Sequence, residues 1–291
     1  MSQVKKHSRN VHELVFGENA KLAMLSDIHY DNPHCDRDTL KSHLDYCLKE
    51  NIPIMINGDF FCFMQGKYDP RRSKADIRPE HNKVNYIDAV IEDAVNYFKP
   101  YANLLTVIGY GNHETAIIKN LETDPLQRFV DLLNHTCGTQ VYTGGYGGWL
   151  VLKLKSNGST ANINVKYYHG SGGGGLVTKG AINLTRALEM VEGMDVFAMG
   201  HIHENSARND VREGVDFHSM KGYRVSQRNI HLMLTGTYKD EYEDGFGGYH
   251  IEKGRPVKPI GGRILTVYSH RKRTQNGHEL KRVVDSHKFP I

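Results

Sequence analysis

Tryptophan occurs once and cysteine four times in 291 residues. Cys35, Cys47, Cys62 and Cys137 show no C-x-x-C spacing, which excludes a zinc ribbon and gives a disulfide framework no support. A reducing cytoplasm is the expected compartment. No apolar run approaches the ~20 residues of a membrane helix, so no membrane partner is expected. The opening MSQVKKHSRNVHELVF has positive charge without an apolar stretch, and no secretory signal is expected. Neither sign of charge dominates: 37 Lys and Arg stand against 33 Asp and Glu, a net +4 too small to argue for nucleic acid by itself. Internal repeats and heptads are absent. With 39% hydrophobic and 24% charged residues the chain supports a sizeable core, and wholesale disorder is excluded.

What is present is a series of short apolar runs, each ending in polar residues or glycine. Leu22 to Leu25 precedes SDIHYD, Ile52 to Ile56 precedes NGDFF, and Leu104 to Ile108 precedes GYGNHE. Ile163 to Tyr168 precedes HGSGGGG, and Val196 to Met199 precedes GHIHEN. Continuous runs of this length fit strands buried on both faces. Helical spacing lies between them in RDTLKSHLDYCLKE, NYIDAVIEDAVNYF, DPLQRFVDLL and TKGAINLTRALEMVEG. The third opens with Asp124 as N-cap and Pro125 at N1; the fourth is weakened by Gly180. WLVLKLK and ANINVKYYH alternate as two strands joined by a turn containing Asn157 and Gly158. The pattern predicts an α/β fold with helices covering a sheet and a second, more antiparallel sheet packed on the first.

Two segments stand apart. Residues 60–84 lack periodicity and hold Arg71, Arg72, Lys74 and Arg78, candidates for phosphate contacts or for plain surface solvation. A loop of this length is often functional. Residues 262–291 carry seven cations (Arg263, Arg271, Lys272, Arg273, Lys281, Arg282, Lys288) against Glu279 and Asp285. They are read as a basic C-terminal extension, a last strand plus tail, beyond a domain at 1–261. Trp149 is assigned to the core or rim of the second sheet, His231 to an ordinary strand position, and Tyr238 and Lys239 to the rim of a site.

The polar clusters are Asp27-x-His29, Gly58-Asp59, Gly111-Asn112-His113-Glu114, His169-Gly170 and Gly200-His201-x-His203. Each sits just past a predicted strand, where open α/β sheets build their sites. One H-x-H pair is weak evidence for a metal. Five such clusters in succession, all of types that bind divalent ions, are not five unrelated surface loops.

SDIH, NGD, GNHE, a lone His-Gly and GHIH, in that order across residues 27–203, resemble the calcineurin-like metallophosphoesterases. The 60–84 loop, HGSGGGG and the segment GTYKDEYEDGFGGYHIEKGRPVKPIGG also look similar to phage-encoded members. The resemblance implies two packed mixed β-sheets flanked by helices, a four-layer sandwich with a di-metal site at the strand ends. It implies Asp27, His29 and His203 on one divalent ion, Asn112, His169 and His201 on the other, and Asp59 bridging. It makes His113 the general acid that protonates the leaving alkoxide, while a bridging hydroxide attacks phosphorus. Two divalent cations, two carboxylates and one hydroxide leave the centre at +1, favourable to a phosphoester anion. Manganese is the expected metal, with iron and zinc compatible with the same N/O ligation. The expected function is phosphoester hydrolysis. Phosphodiesters, including DNA or RNA, stand slightly ahead of monoesters, with a noncatalytic metal-bound scaffold as the contrasting reading. Oligomeric state is not legible.

The pattern departs from the phosphoprotein phosphatases of that superfamily. Their second motif continues GD-x-x-D-R-G and its second Asp orients the catalytic His; here Cys62 stands in that place within GDFFCF. This argues against a Ser/Thr protein phosphatase and leaves either Glu114 or a backbone carbonyl to orient His113. Cys62 is expected to be a packed small residue and not a nucleophile. HGSGGGG is either a loop whose N–H groups approach substrate or a connection to the next helix.

Overall fold

Every apolar run that ends in a polar motif forms a strand in the computed structural model, which describes residues 4–63, 77–156, 159–218, 222–243, 245–246, 249–274 and 277–290. In chain order the first elements are β1 (Val4–Ser8), β2 (Val11–Phe16), β3 (Ala20–Leu25), α1 (Arg37–Glu50), β4 (Ile54–Asn57), α2 (Tyr86–Phe98), β5 (Leu105–Gly109), α3 (Asn112–Leu121) and α4 (Pro125–Cys137). There follow β6 (Tyr142–Thr143), β7 (Gly147–Ser156), β8 (Ser159–Tyr168), α5 (Ala181–Met190), β9 (Val196–Met199), β10 (Asn205–His218), β11 (Gly222–Thr235), β12 (Arg263–Thr274) and β13 (Gly277–Lys288).

The strands make two mixed sheets. A seven-stranded sheet has the order β1-β2-β7-β8-β9-β11-β10, and a six-stranded sheet the order β13-β12-β3-β4-β5-β6. Within the second, β3, β4, β5 and β6 run parallel, whereas β12 and β13 are antiparallel additions. In the first, β8, β9 and β11 run parallel.

Three apolar clusters show why the chain layers as it does. Leu22, Met24, Met55, Val107 and Leu265 of the six-stranded sheet meet Leu150, Leu152, Val165, Val196 and Met233 of the seven-stranded one. The opposite face of the six-stranded sheet packs Ile54, Ile56 and Ile108 against Leu40 and Leu44 of α1, Val90 and Phe98 of α2, and Phe129 of α4. Leu184 and Ala187 of α5 cover Phe197, Leu232 and Leu234 on the outer face of the seven-stranded sheet. The result is a helix–sheet–sheet–helix stack in which β4, β5 and β9 are buried on both faces, as their continuous apolar runs require.

Local signals set the helix ends. Asp36 caps α1 by accepting the Thr39 N–H at 2.8 Å, and Asp124 caps α4 by accepting that of Gln127 at 2.9 Å, with Pro125 in the first turn. The Asn157-Gly158 turn lies outside the described residues, as do Arg71, Arg72 and Lys74.

Residues 262–291 supply β12 and β13. Ile264, Leu265 and Val267 are buried where β12 lies beside β3. Arg263, one of the seven basic residues of this segment, is a buried structural residue: its guanidinium bonds Asn205 Oδ1 at 2.9 Å and Ser286 O at 2.7 Å. His231 is buried beside it, joining Asn209 Oδ1 and Ser286 Oγ at 2.7 Å each. Trp149 is partly buried against the cluster under α5. Among the described residues, no helix is long and apolar enough to cross a membrane.

Candidate metal centre

Asp27 and His29 follow β3, Asp59 follows β4, and Asn112 and His113 open α3 after β5. His169 follows β8, and His201 and His203 follow β9. All are C-terminal ends of strands that run in one direction within their sheet, so one edge of the stack collects every motif. Backbone bonds fasten the loops together: Asp27 N to Gly58 O at 3.0 Å, His29 N to Asp59 O at 3.0 Å, and Gly200 N to His169 O at 2.9 Å.

The seven expected metal residues converge in two sets. Donor atoms of Asp27, His29 and His203 lie within 4.8 Å of one another, and so do those of Asp59, His169 and His201. Asn112 joins the second set, its Oδ1 standing 3.2 Å from His169 Nε2 and 2.8 Å from His201 Nδ1. Asp27 Oδ1 is 3.3 Å from His203 Nε2, and Asp59 Oδ2 is 3.2 Å from His169 Nε2. The His29 ring lies 5.4 Å from that of His203 and 4.9 Å from that of His113.

Two observations test whether this donor set fits cations. Both ring nitrogens of His29 are buried without a hydrogen-bond partner, a costly state for a polar group that a coordinate bond would relieve. Five of the seven residues also have left-handed backbone: Asp27 at φ 51°, His29 at 49°, Asp59 at 48°, His201 at 66° and His203 at 56°. Non-glycine residues rarely adopt this conformation, and such strain concentrates at functional sites. The residues form two groups that could each hold a metal ion.

The electrostatics point the same way. Burial alone would raise the Asp59 carboxyl, but His169 and His113 beside it outweigh that and hold it well below the usual carboxylate range. Burial disfavours a charged His169, yet Asp59 prevails and raises it to about 10. His201 is lowered by burial and by His169. The buried acids thus create a potential that draws positive charge into the centre.

Motif glycines keep room for these acids. A β-carbon at Gly111 would lie 2.1 Å from Asp59 Oδ1, and one at Gly200 would lie 2.5 Å from Asp27 Oδ2. Only glycine permits that approach.

His113 is buried in the first turn of α3. Its N–H bonds Asp59 Oδ1 at 3.0 Å, and its Nδ1 donates to the Cys62 carbonyl at 2.7 Å. Of the two orienting partners left open by sequence, the backbone carbonyl occupies the position. Glu114 instead ties the loops together, its carboxylate accepting the N–H groups of Asp59, Phe61 and Gly111 at 3.2, 2.9 and 2.8 Å. Burial and then Asp59 push it up to about 8. The Cys62 thiol is fully buried and raised by that burial, the opposite of an activated nucleophile.

A pocket of about 1080 Å³ is lined by His29, Asp59, Asn112, His113, His201 and His203, by residues 172–176 of the glycine loop, and by residues 253–256 with Lys258. Lys239 and Lys258 line it as ion pairs, with Glu241 and Glu204 at 2.6 Å each. Tyr238 is not on the rim: it is fully buried, its hydroxyl 2.9 Å from His43 Nδ1. Arg78 is engaged by Glu80 at 2.7 Å and by the Asn32 carbonyl at 3.1 Å, and does not line the pocket. A second cavity of about 590 Å³ lies at the opposite strand ends, around Lys21, Pro53 and Leu104.

Sequence reasoning missed two buried residues that build the site. Asn57 donates to the Tyr168 carbonyl at 3.0 Å and ties the sheets beneath the centre. Asp31 grips the loop that carries Cys62. The signal for Asp31 was its place inside SDIHYD, in step with Asp27 and His29.

No family model matches the chain, and no curated protein matches it. Among solved structures it is similar to GAP50, described as the anchor in the inner membrane complex of Plasmodium, at 13% identity and TM-score 0.42, over 94% of this chain and 89% of that one. It is also similar to Vps29 of Chaetomium thermophilum at 11% identity and TM-score 0.33, over 93% of this chain and all of that one. At these values the site has to be read from its own geometry.

Proposed function

We propose that the chain is a metal-dependent phosphoester hydrolase of the calcineurin-like type, with the four layers as that family's sandwich. The observation that carries this reading is the adjacency of two donor sets to a buried histidine whose Nδ1 is committed to a carbonyl. Asp27, His29 and His203 would hold one divalent cation, and Asn112, His169 and His201 the other, with Asp59 between them. When bound, such a pair supplies Lewis acidity toward phosphoryl oxygens and a water of lowered pKa. Manganese suits this mixed N/O set, which contains no thiolate ligand.

The remaining chemistry belongs to the chain. The bond from His113 Nδ1 to the Cys62 carbonyl fixes the ring and assigns the other nitrogen, Nε2, to proton transfer. Nε2 stands 4.0 Å from Asp59 Oδ2, on a residue that lines the pocket. A proton delivered there to a departing alkoxide contributes roughly 10²–10⁴-fold. The pocket is wider than a lone phosphate needs; Lys253 and Arg255 line it, with Glu204, Glu241 and Glu243 in the same lining and Lys258 paired to Glu204. This width supports a phosphodiester, with DNA or RNA strands as the favoured source, over a simple monoester.

The test is hydrolysis of bis-p-nitrophenyl phosphate beside p-nitrophenyl phosphate after stripping and restoring Mn²⁺, with His113→Ala and Asp59→Asn in parallel. Metal-dependent turnover lost in both variants, with the diester preferred, is expected. Two bound metals with no turnover of either ester or of oligonucleotides would instead favour a metal-bound scaffold.

A further inference from the structure

Asp31 is 1% exposed and is not among the proposed ligands. Its Oδ1 accepts the Cys62 N–H at 2.6 Å and its Oδ2 the Phe63 N–H at 2.8 Å; Tyr86 donates its hydroxyl to Oδ2 at 3.1 Å. The Phe63 N–H and the Cys62 carbonyl belong to one peptide group. In a trans peptide they point in opposite directions within one rigid plane. A carboxylate that holds the N–H end therefore aims the carbonyl end, and that carbonyl receives His113 Nδ1 at 2.7 Å. Phe63 is left-handed at φ 46°, so the chain holds an unfavoured conformation at this peptide.

We propose that Asp31 is the positioning residue for His113, acting through the Cys62–Phe63 peptide. The line runs from carboxylate to N–H, across the peptide to its carbonyl, and on to the imidazole. Hydrogen bonds in series polarise one another, so the carboxylate's charge strengthens the carbonyl as an acceptor and steadies the imidazolium. The loop thereby supplies, one peptide removed, the acidic partner that Cys62 denies in the second motif. The inference rests on His113 being the general acid.

The test uses the intact Mn²⁺-loaded protein and two diesters that differ only in leaving group, methyl p-nitrophenyl phosphate and methyl phenyl phosphate. Phenolate is the poorer leaving group and needs its proton more. Asp31→Asn is expected to lower kcat about 30-fold on the phenyl ester and less than about 3-fold on the nitrophenyl ester, with two metals per chain retained. Equal losses on both esters at full metal content would overturn the proposal, since a merely structural defect does not distinguish leaving groups. If Asp31→Asn does not fold, Tyr86→Phe decides, because it removes one bond to the same carboxylate. A fall of about 3-fold in the phenyl-to-nitrophenyl rate ratio supports the proposal, and an unchanged ratio overturns it. His113→Ala separates the two layers of inference. A flat ratio there sinks the acid assignment and Asp31 with it, whereas a shifted ratio there with a flat ratio in Asp31→Asn sinks Asp31 alone.

Discussion

Gly111 and Asp59 approach so closely that a β-carbon on the glycine would lie 2.1 Å from the Asp59 carboxylate oxygen and 2.4 Å from its backbone nitrogen. Neither neighbour can yield cheaply, because Asp59 is buried in the group it forms with His169 and His201 and its N–H is held by Glu114. Gly111→Ala is expected to displace Asp59, lower metal-dependent hydrolysis at least ~100-fold, and weaken metal binding. The measurement is metal stoichiometry alongside activity. Full activity at full metal content would contradict the tight packing of this pair.

Removal of metal should be visible in stability as well as in turnover. A ligand that binds only the folded state at 100 times its Kd adds about 2.7 kcal/mol, which for a chain of this size corresponds to a Tm rise of roughly 4–5 °C. Mn²⁺ is expected to raise the melting temperature by that order and a chelator to reverse it. His29→Ala should abolish most of the shift, since this residue brings two buried nitrogens without partners. An identical shift in His29→Ala would remove His29 from the donor set.

Away from the centre, His12 is buried with both ring nitrogens unpartnered and lowered to about 4, by burial first and then by Lys6 and His7. His43, stacked on Phe289 at 4.1 Å, is lowered to about 4 by burial. In the unfolded chain each titrates near 6.5. Between 6.5 and 4 the unfolded state therefore binds more protons, and stability falls as pH falls through that window. His12→Phe is expected to flatten this slope, on the order of 1 kcal/mol after allowance for partial solvation. Thermal melts at pH 7.5 and 5 compare the two proteins. Parallel curves would show that His12 does not remain neutral in the fold.

Cys62 offers a contrast between side chain and backbone. The thiol is buried, and Asn32 Nδ2 lies 3.5 Å from its sulfur; the carbonyl bonds His113. Cys62→Ala keeps the carbonyl, so hydrolysis is expected to fall less than ~3-fold, with a stability loss near 1 kcal/mol for the small cavity. Thiol labelling of the native protein should spare this position. A loss in activity as large as that of His113→Ala would give the sulfur a chemical role.

The strands that end in motifs were legible because continuous apolar runs, read against the polar clusters that stop them, admit few alternatives. The helices α1, α2 and α4 were plain from 3.6-residue spacing, α4 also from its cap at Asp124, whereas Gly180 weakened the signal for α5, where it turns out to precede the first helical residue. The hairpin of β10 and β11 was not. Val215 opposite Val225 and Phe217 opposite Tyr223 are exposed, so its outer half offers no buried face to set a period. Helix α3 was hidden because it begins inside GNHE, where the residues were read for their chemistry. Tyr238 was placed on a rim because it follows the strand end of LMLTGTYKD, but its hydroxyl is satisfied internally by His43 and its ring goes to the core. The convergence of the seven expected metal residues follows from strand direction, which sequence order implied. The grip of Asp31 on a peptide needed coordinates, since a bond to backbone leaves no mark on the partner's identity.

The two donor sets are divided between the sheets. Asp27, His29, Asp59 and Asn112 hang from the six-stranded sheet, whereas His169, His201 and His203 hang from the seven-stranded one. The division orders the birth of the protein. During synthesis the first four donors emerge long before the last three, and Asp27 and Asp59 have no histidines from the opposite side until β8 and β9 have left the ribosome and docked. A cation held by the proposed donors would therefore load last in maturation, after the two halves of the chain have joined.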